Sequence, residues 1–207
     1  MIDATAIVLA GGKSQRLGIN KPFLRLGKLY LIEIVVNKLK EIFDKIIIVA
    51  NKKNYPPMTP LWIDTNCGVN HTIVRDKIEN KGPLGGLYTG LLSIESPYAF
   101  VVACDMPYLN KALIEYMTRK IKDCDAVVPQ TAPAHFEMLH SFYTQKCITV
   151  IDRLLGRNEL HLRSLLPFLR VHYVLPKEIK RFDRQGRSFT NINTKDDLAK
   201  LKNDILY

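Results

Sequence analysis

The sequence predicts a three-layer α/β fold, with helices on both faces of a mostly parallel sheet, and three observations lead to this prediction. Continuous apolar runs rich in β-branched residues recur along the 207-residue chain, as expected for strands that are buried on both faces. Segments with apolar residues spaced as on one face of a helix separate these runs. The motifs that combine glycine and charge follow directly after the runs, where sheets of this kind bind their ligands.

Each element rests on its own pattern. The predicted strands are the apolar runs at residues 5–10, 45–50, 72–74, 98–103, 125–128, 138–143 and 171–175. The predicted helices have helical apolar spacing and cover residues 29–43, 82–94, 111–122, 146–155, 160–169 and 195–203. Asn110 and Thr194 are the expected N-caps of two of them. Residues 51–70 carry three prolines and are expected to be a loop, so residues 1–207 should form one domain.

Composition limits the classes of partner and compartment. The formal net charge of +10 indicates an anionic partner, but no aromatic residues interleave with the basic ones as in RNA-binding motifs. A small phosphorylated substrate explains the charge as well as nucleic acid does, and we expect no nucleic acid. No apolar run is long enough to cross a bilayer, and no signal peptide is visible. The four cysteines form no metal-binding pattern, which favours the cytoplasm.

The strongest motif follows the first predicted strand, where Gly11 and Gly12 precede several cations, among them Arg16 and Lys21. Glycine lets a backbone approach a ligand closely, while free N–H groups and cations bind phosphate. The spacing fits neither a P-loop nor a dinucleotide fingerprint. A plain strand-to-helix turn with solvated cations is the alternative. The density of glycine and charge favours a nucleoside triphosphate, with Arg16 and Lys21 on its phosphates.

Two further motifs place carboxylates after predicted strands. Asp105 follows the strand at 98–103, where a carboxylate can hold Mg²⁺ against substrate phosphates. Its alternative role is to cap a turn before Pro107. Asp76 precedes a glycine-rich segment that starts at Gly82, and this pair could bind a base or ribose. Its alternative is an ordinary loop before a helix.

The fourth motif is the pair Asn191 and Asn193, which precedes the last predicted helix. Thr194 and Asp197 resemble a capping box, which explains both of them as a helix start. The two asparagines are left without a structural explanation and are candidate substrate ligands. None of the histidines is assigned to catalysis, and His140 is expected to be structural.

In combination, these motifs resemble those of the molybdenum cofactor guanylyltransferase family, which read LAGGxSxRMGxDK, D…GPLxG, CDMP and NxNT. The resemblance implies a Rossmann-like nucleotidyltransferase fold and Mg²⁺-dependent transfer of GMP from GTP to molybdopterin, with release of pyrophosphate. It implies that Leu9, Ala10 and Gly11 contact the nucleotide, with Lys21 on its phosphates. Asp76 would bind the nucleoside, Asp105 the Mg²⁺, and Asn191 and Asn193 the molybdopterin. The implied partners are GTP, molybdopterin and, transiently, molybdenum-insertion proteins or molybdoenzymes.

The chain departs from the family pattern at three places. Asn20 stands where the family has Asp, Leu17 replaces Met, and residues 134–143 follow the family only loosely. Two alternatives share the fold, namely a molybdenum cofactor cytidylyltransferase and a sugar-phosphate nucleotidyltransferase. The cytidylyl relatives read LAAG at positions 9–12, and the extra glycine of this chain leaves room for a purine. A third alternative is a basic nucleotide- or partner-binding protein without catalysis.

Overall fold

The computed structural model describes residues 2–11, 20–54 and 70–206, and its centre is one sheet. In chain order the strands are β1 (Ile2–Leu9), β2 (Arg25–Leu26), β3 (Leu29–Tyr30), β4 (Phe43–Ala50), β5 (Asn70–Arg75), β6 (Tyr98–Ala103), β7 (Ala126–Ala132), β8 (His135–Phe136), β9 (His140–Thr144) and β10 (Val171–Val174). The main sheet runs β10-β7-β9-β6-β1-β4-β5, with β8 paired to β7. The hairpin of β2 and β3 lies apart from it.

The middle of the sheet is parallel. Strand β1 lies between β4 and β6 and runs parallel to both, so that Leu9 stands opposite Val49 on one side and Ala103 on the other. Strand β5 continues this direction next to β4. Strand β9 runs antiparallel to its neighbours β6 and β7. The carboxyl ends of β1, β4, β5 and β6 therefore lie at one edge of the sheet, where such folds bind ligands.

The helices cover both faces of the sheet. They are α1 (Leu31–Lys40), α2 (Gly82–Leu92), α3 (Lys111–Thr118), α4 (Cys147–Gly156), α5 (Pro176–Ile179) and α6 (Lys195–Leu206). Successive residues of β1 point to opposite faces, as a strand requires. Ala6 and Val8 join a buried cluster with α1 and α3, whereas Ile7 and Leu9 join a second cluster with α2 and α4. The two clusters confirm the predicted three-layer, Rossmann-like α/β fold.

Most predicted elements are present, and their bounds differ for local reasons. The strand at 98–103 is confirmed without a shift, and Asn110 caps α3 by accepting a hydrogen bond from the Leu113 N–H at 3.0 Å. The helix predicted over 29–43 is wrong at both ends. It starts at Leu31 because the Glu33 carboxylate accepts the Tyr30 N–H at 2.6 Å, and Phe43 already belongs to β4.

Several other bounds also need correction, among them the following three. The helix predicted to reach residue 122 ends at Thr118, and a separate 3-10 turn follows at Ile121–Asp123. The segment at 160–169 forms 3-10 turns over Leu162–Phe168, which contain Pro167 and so lack a full set of helical donors. Strand β7 continues to Ala132 because its far end pairs with β8. Most of the predicted loop at 51–70 lies outside the described residues, and no described helix is long and apolar enough to cross a membrane.

Candidate active site

A cavity of about 670 Å³ opens beyond the carboxyl ends of β1 and β6. The ends of the two strands form one wall, with the residues Leu9, Ala10, Gly11, Ala103, Cys104, Asp105 and Met106. The two ends are joined directly, since the Cys104 N–H donates to the Leu9 carbonyl at 3.2 Å. The parallel register of β1 and β6 thus brings Gly11 of the glycine motif and Asp105 to one place.

Lys21 lies at the centre of the site. Its Nζ is 2.7 Å from Asp105 Oδ2 and 2.6 Å from Asn193 Oδ1. The side chains of Lys21 and Asp105 are only 20% and 15% exposed, so solvent screens their attraction less than it would on the open surface. A 3-10 turn over Lys21–Phe23, anchored by the buried Pro22, carries the lysine. Three residues that the sequence assigned to the site therefore meet at one ammonium group.

Asp105 is fixed by main-chain contacts as well as by its side chain. The Met106 N–H donates to the Ala103 carbonyl at 3.2 Å, which closes a turn immediately after β6. The Asp105 carbonyl accepts the Ile192 N–H at 2.9 Å, and Ile192 is buried. This contact places the C-terminal segment, with its two asparagines, against the end of β6.

The two predicted asparagines have different surroundings. Asn191 is exposed and lines the cavity, while Asn193 contacts Lys21. The Asp197 carboxylate accepts the N–H groups of Asn193 and Thr194 at 3.0 and 2.9 Å. In return the Asp197 N–H donates to Thr194 Oγ1 at 3.1 Å, which confirms the predicted capping box. The start of α6 therefore holds Asn193 in position, and these hydrogen bonds keep the pKa of Asp197 below its usual value.

Asp76 and Gly82 lie to one side of this centre. Asp76 follows β5, and its Oδ1 accepts hydrogen bonds from the Thr89 hydroxyl at 2.8 Å and the Ile78 N–H at 3.1 Å. Gly82 begins α2 with a φ of +60°, which a residue with a side chain rarely adopts. Its neighbour Pro83 lines the cavity, and neither Asp76 nor Gly82 is among the described lining residues. Gly12 and Arg16, also predicted for the site, lie outside the described residues.

The remaining wall was missed by the sequence analysis. It consists of the residues Phe136, Glu137, Met138, Leu139, His161, Leu162 and Arg163. The Arg163 guanidinium lies 5.4 Å from the centroid of the Phe136 ring, a distance at which the cation is attracted to the ring face. Burial raises the pKa of Glu137, whose carboxylate accepts a hydrogen bond from the Thr131 hydroxyl at 2.9 Å. These residues lie in the two-residue strand β8, in the turn after it and around the start of the 3-10 segment, and they follow no glycine or charge motif, so the sequence offered no signal for them.

Two candidate nucleophiles near the site, Cys104 and His140, are buried in forms that do not attack a substrate. Burial raises the pKa of the Cys104 thiol well above its ordinary value, so this group stays protonated. His140 is fully buried in β9, as its strand pattern predicts, and does not line the cavity among the described residues. Neither group is therefore suited to forming a covalent intermediate, whereas Lys21 and Arg163 give the cavity cations that can neutralise charged substrates.

Comparisons with known proteins find similar sequences over most of the chain. The family model for the MobA-like NTP transferase domain matches residues 6–172. A protein named probable molybdenum cofactor guanylyltransferase, from Peptoclostridium acidaminophilum, is 36% identical over 201 residues, which cover 94% of this chain and 86% of that protein. A molybdenum cofactor guanylyltransferase from Desulfosudis oleivorans is also 36% identical, over 97% of this chain and 95% of that protein.

A solved structure supports the fold independently. The molybdopterin-guanine dinucleotide biosynthesis protein A from Archaeoglobus fulgidus superposes with a TM-score of 0.80. The superposition covers 97% of each chain at 24% sequence identity. At that identity the likeness establishes a shared fold.

Proposed function

The chain belongs to the MobA-like NTP transferase family, and on that premise we propose that it transfers GMP from GTP to molybdopterin and releases pyrophosphate. The observation that carries the proposal is the meeting of Lys21, Asp105 and Asn193 beyond β1 and β6. These residues come from three of the four sequence motifs, and two of them, Lys21 and Asp105, line the cavity. The names of the two bacterial relatives add support for this substrate pair.

The reaction needs alignment more than acid–base chemistry. An oxygen of the molybdopterin phosphate forms a bond to the α-phosphorus of GTP, while the bond from that phosphorus to the bridging oxygen breaks. Pyrophosphate leaves with the electron pair. Because the attacking phosphate is already anionic, no protein group has to remove a proton. The protein must hold two anions in line and neutralise the charge that develops between them.

On the nucleotide side, the described residues can both hold the anionic substrate and neutralise its charge. Leu9, Ala10 and Gly11 line the cavity, and Lys21 supplies a positive charge for the phosphates. We assign Gly12 and Arg16 to the same phosphate site from their position in the motif. Asp76, with the helix start at Gly82, remains our candidate for binding the nucleoside.

On the acceptor side we assign Asn191 and Asn193. Asn191 lines the cavity, and Asn193 contacts the lysine that would neutralise the phosphates. The wall that contains Phe136 and Arg163 adds an aromatic surface and a second cation to this cavity. An aromatic ring and a guanidinium suit a flat heterocycle that carries a phosphate.

The donor set at Asp105 fits Mg²⁺. Among the described residues there is no group of three or more His, Cys, Asp or Glu that could hold a metal alone. Mg²⁺ does not require one, because it commonly binds one or two carboxylates and takes its other ligands from phosphates and water. Asp105 would hold the ion at the cavity wall, where Mg²⁺ would offset the charge of the triphosphate.

We further propose that residues 1–207 act as one nucleotidyltransferase domain in the cytoplasm. Both buried clusters lie against the same sheet, which supports a single unit. Cys104, Cys124 and Cys147 are free thiols, as a reducing compartment favours. Transient contacts with molybdenum-insertion proteins or molybdoenzymes would pass the product on.

The function is tested by incubating the purified protein with Mg²⁺, molybdopterin and each nucleoside triphosphate in turn. Pyrophosphate should form with GTP at least about tenfold faster than with CTP, because the second glycine of the motif is expected to leave room for a purine. Asp105→Asn should remove this activity, whereas the exposed Asp44→Asn should not. Equal rates with CTP would refute the guanine assignment. Salt-dependent DNA binding without pyrophosphate release would identify a binding protein instead.

A further inference from the structure

A buried asparagine connects the residues on either side of the segment 12–19, which contains Gly12 and Arg16 and is the proposed phosphate-binding segment. Asn54 follows β4 and is 1% exposed. Its Nδ2 donates to the Ala10 carbonyl at 2.6 Å, and its Oδ1 accepts a hydrogen bond from Asn20 Nδ2. Its own N–H donates to Asn51 Oδ1 at 2.9 Å, which ties it to the end of β4. Ala10 and Asn20 lie on either side of residues 12–19, so one side chain holds both flanks of that segment.

The polarity of these contacts determines which residue can stand at position 20. The Ala10 carbonyl can only accept, so the Asn54 amide must present its nitrogen there. Its oxygen then faces residue 20, which must donate. Asn20 does so, whereas an aspartate has no donor for this contact. Turning the Asn54 amide around would satisfy an aspartate but would place two oxygens against each other at Ala10.

The same residue also begins the turn that carries Lys21. The Asn20 carbonyl accepts the Phe23 N–H at 3.0 Å and so closes the first turn of the 3-10 segment. The side chain of Asn20 contacts Asn54, while Lys21, the next residue, lines the cavity. A fixed Asn20 therefore fixes the point from which the Lys21 side chain reaches Asp105 and Asn193.

We propose that Asn20 and Asn54 are a matched pair of positioning residues for the nucleotide phosphate site. The inference rests on the proposed function, because it assumes that Lys21 and Ala10 contact the nucleotide. Holding both flanks in place before the ligand arrives lowers the ordering cost of binding. Asn20 thus replaces the aspartate of the family pattern as the donor that Asn54 requires, and it is not a weakened metal ligand.

The pairing is tested without any substrate by a double-mutant cycle on unfolding. Asn20→Ala, Asn54→Ala and the double variant are compared by chemical denaturation. Each variant changes the equilibrium constant of unfolding by some factor. We expect the factor for the double variant to be at least about threefold smaller than the product of the factors for the two single variants. Asn37 lies exposed on α1 and gives the matched control, since Asn37→Ala and Asn54→Ala should combine additively. Additive effects of Asn20 and Asn54 would overturn the pairing.

The positioning role is tested with Asn20→Asp. We expect the KM for GTP to rise about tenfold, with kcat and the Mg²⁺ concentration for half-maximal rate little changed. Asn37→Asp should leave all three values as in the wild type. A variant with higher turnover or a lower Mg²⁺ requirement would show that residue 20 acts at the metal, and would overturn the proposal. If the wild type does not use GTP, the proposed function fails, while the unfolding cycle still decides the pairing.

Discussion

At the scale of single residues, the site depends on groups that hold the contacting residues in place. Thr89 in α2 is fully buried, and its hydroxyl donates to Asp76 Oδ1 at 2.8 Å. The Thr89 hydroxyl oxygen also accepts the Lys77 N–H at 3.0 Å. Thr89 therefore fixes both the carboxylate and the backbone that follows it, although the sequence marks it as an ordinary helix residue.

Replacing Thr89 should weaken nucleotide binding. Thr89→Val keeps the shape but removes the hydroxyl, so we expect the KM for GTP to rise several-fold with kcat nearly unchanged, and a stability loss of about 1 kcal/mol. Thr89→Ser should restore both values. Thr118→Val is the matched control, because its hydroxyl contacts only the Ile114 carbonyl of α3 in the described structure. Steady-state kinetics that leave the KM of Thr89→Val at the wild-type value would contradict this role.

At the scale of elements, α2 can pack close to β1 because Gly90 has no side chain. A Cβ at Gly90 would lie 2.7 Å from Ile7 Cγ2 and 3.0 Å from Ile7 Cδ1, inside the second buried cluster. The helix therefore packs directly on the strand whose end forms the cavity wall. This close approach also sets where Pro83, at the other end of α2, meets the cavity.

Adding a methyl group at this contact should destabilise the fold. We expect Gly90→Ala to lower the free energy of unfolding by about 1–3 kcal/mol, because Ile7 is fully buried and cannot move aside freely. Gly156 ends α4, and a Cβ there would have no neighbour within 4 Å. Gly156→Ala should therefore be neutral or slightly stabilising, by up to about 1 kcal/mol. Equal urea midpoints for the two variants would show that α2 can shift away from β1 at little cost.

Features that a local motif marks can be predicted from the sequence, whereas features that depend on contacts between residues distant in the chain cannot. The meeting of Lys21, Asp105 and Asn193 could be expected because motif residues surround each of them and strand ends converge in parallel sheets. Asn54 could not, since its partners Ala10 and Asn20 lie 44 and 34 positions before it in the chain, and its neighbours resemble those of any loop. The two-residue strand β8 is likewise defined by its pairing with β7 and not by its own sequence.

At the scale of the whole molecule, a buried histidine links stability to pH. His140 lies between the rings of Phe100 and Phe189, with both ring centroids 5.0 Å away. Neither of its ring nitrogens has a hydrogen-bond partner among the described residues. Burial lowers the pKa of His140 to about 3, and the nearby Asp183 offsets this only in part. The native protein therefore keeps this ring neutral.

This histidine should make the fold sensitive to acid. Unfolding restores an ordinary pKa of about 6.5, so between pH 6.5 and 3 the unfolded chain binds a proton that the native state does not. The stabilisation that comes from a neutral His140 is complete above pH 6.5. As the pH falls below this value, the free energy of unfolding decreases by up to about 1.4 kcal/mol per pH unit. His140→Leu should reduce the slope of unfolding free energy against pH by this amount. The exposed His135→Leu should not, and identical slopes for both variants would contradict the prediction.

The contact between Lys21 and Asn193 also has a consequence for biosynthesis. The two residues are 172 positions apart, and the described strands of the main sheet end with Val174. Contacts of such long range form late, because they close a very large loop. A chain emerging from the ribosome can therefore assemble its sheet before Asn193 becomes available. On the proposed function, bound substrates can stabilise the protein fully only after this point, so the newly made chain must rely on its two apolar cores until the site is complete.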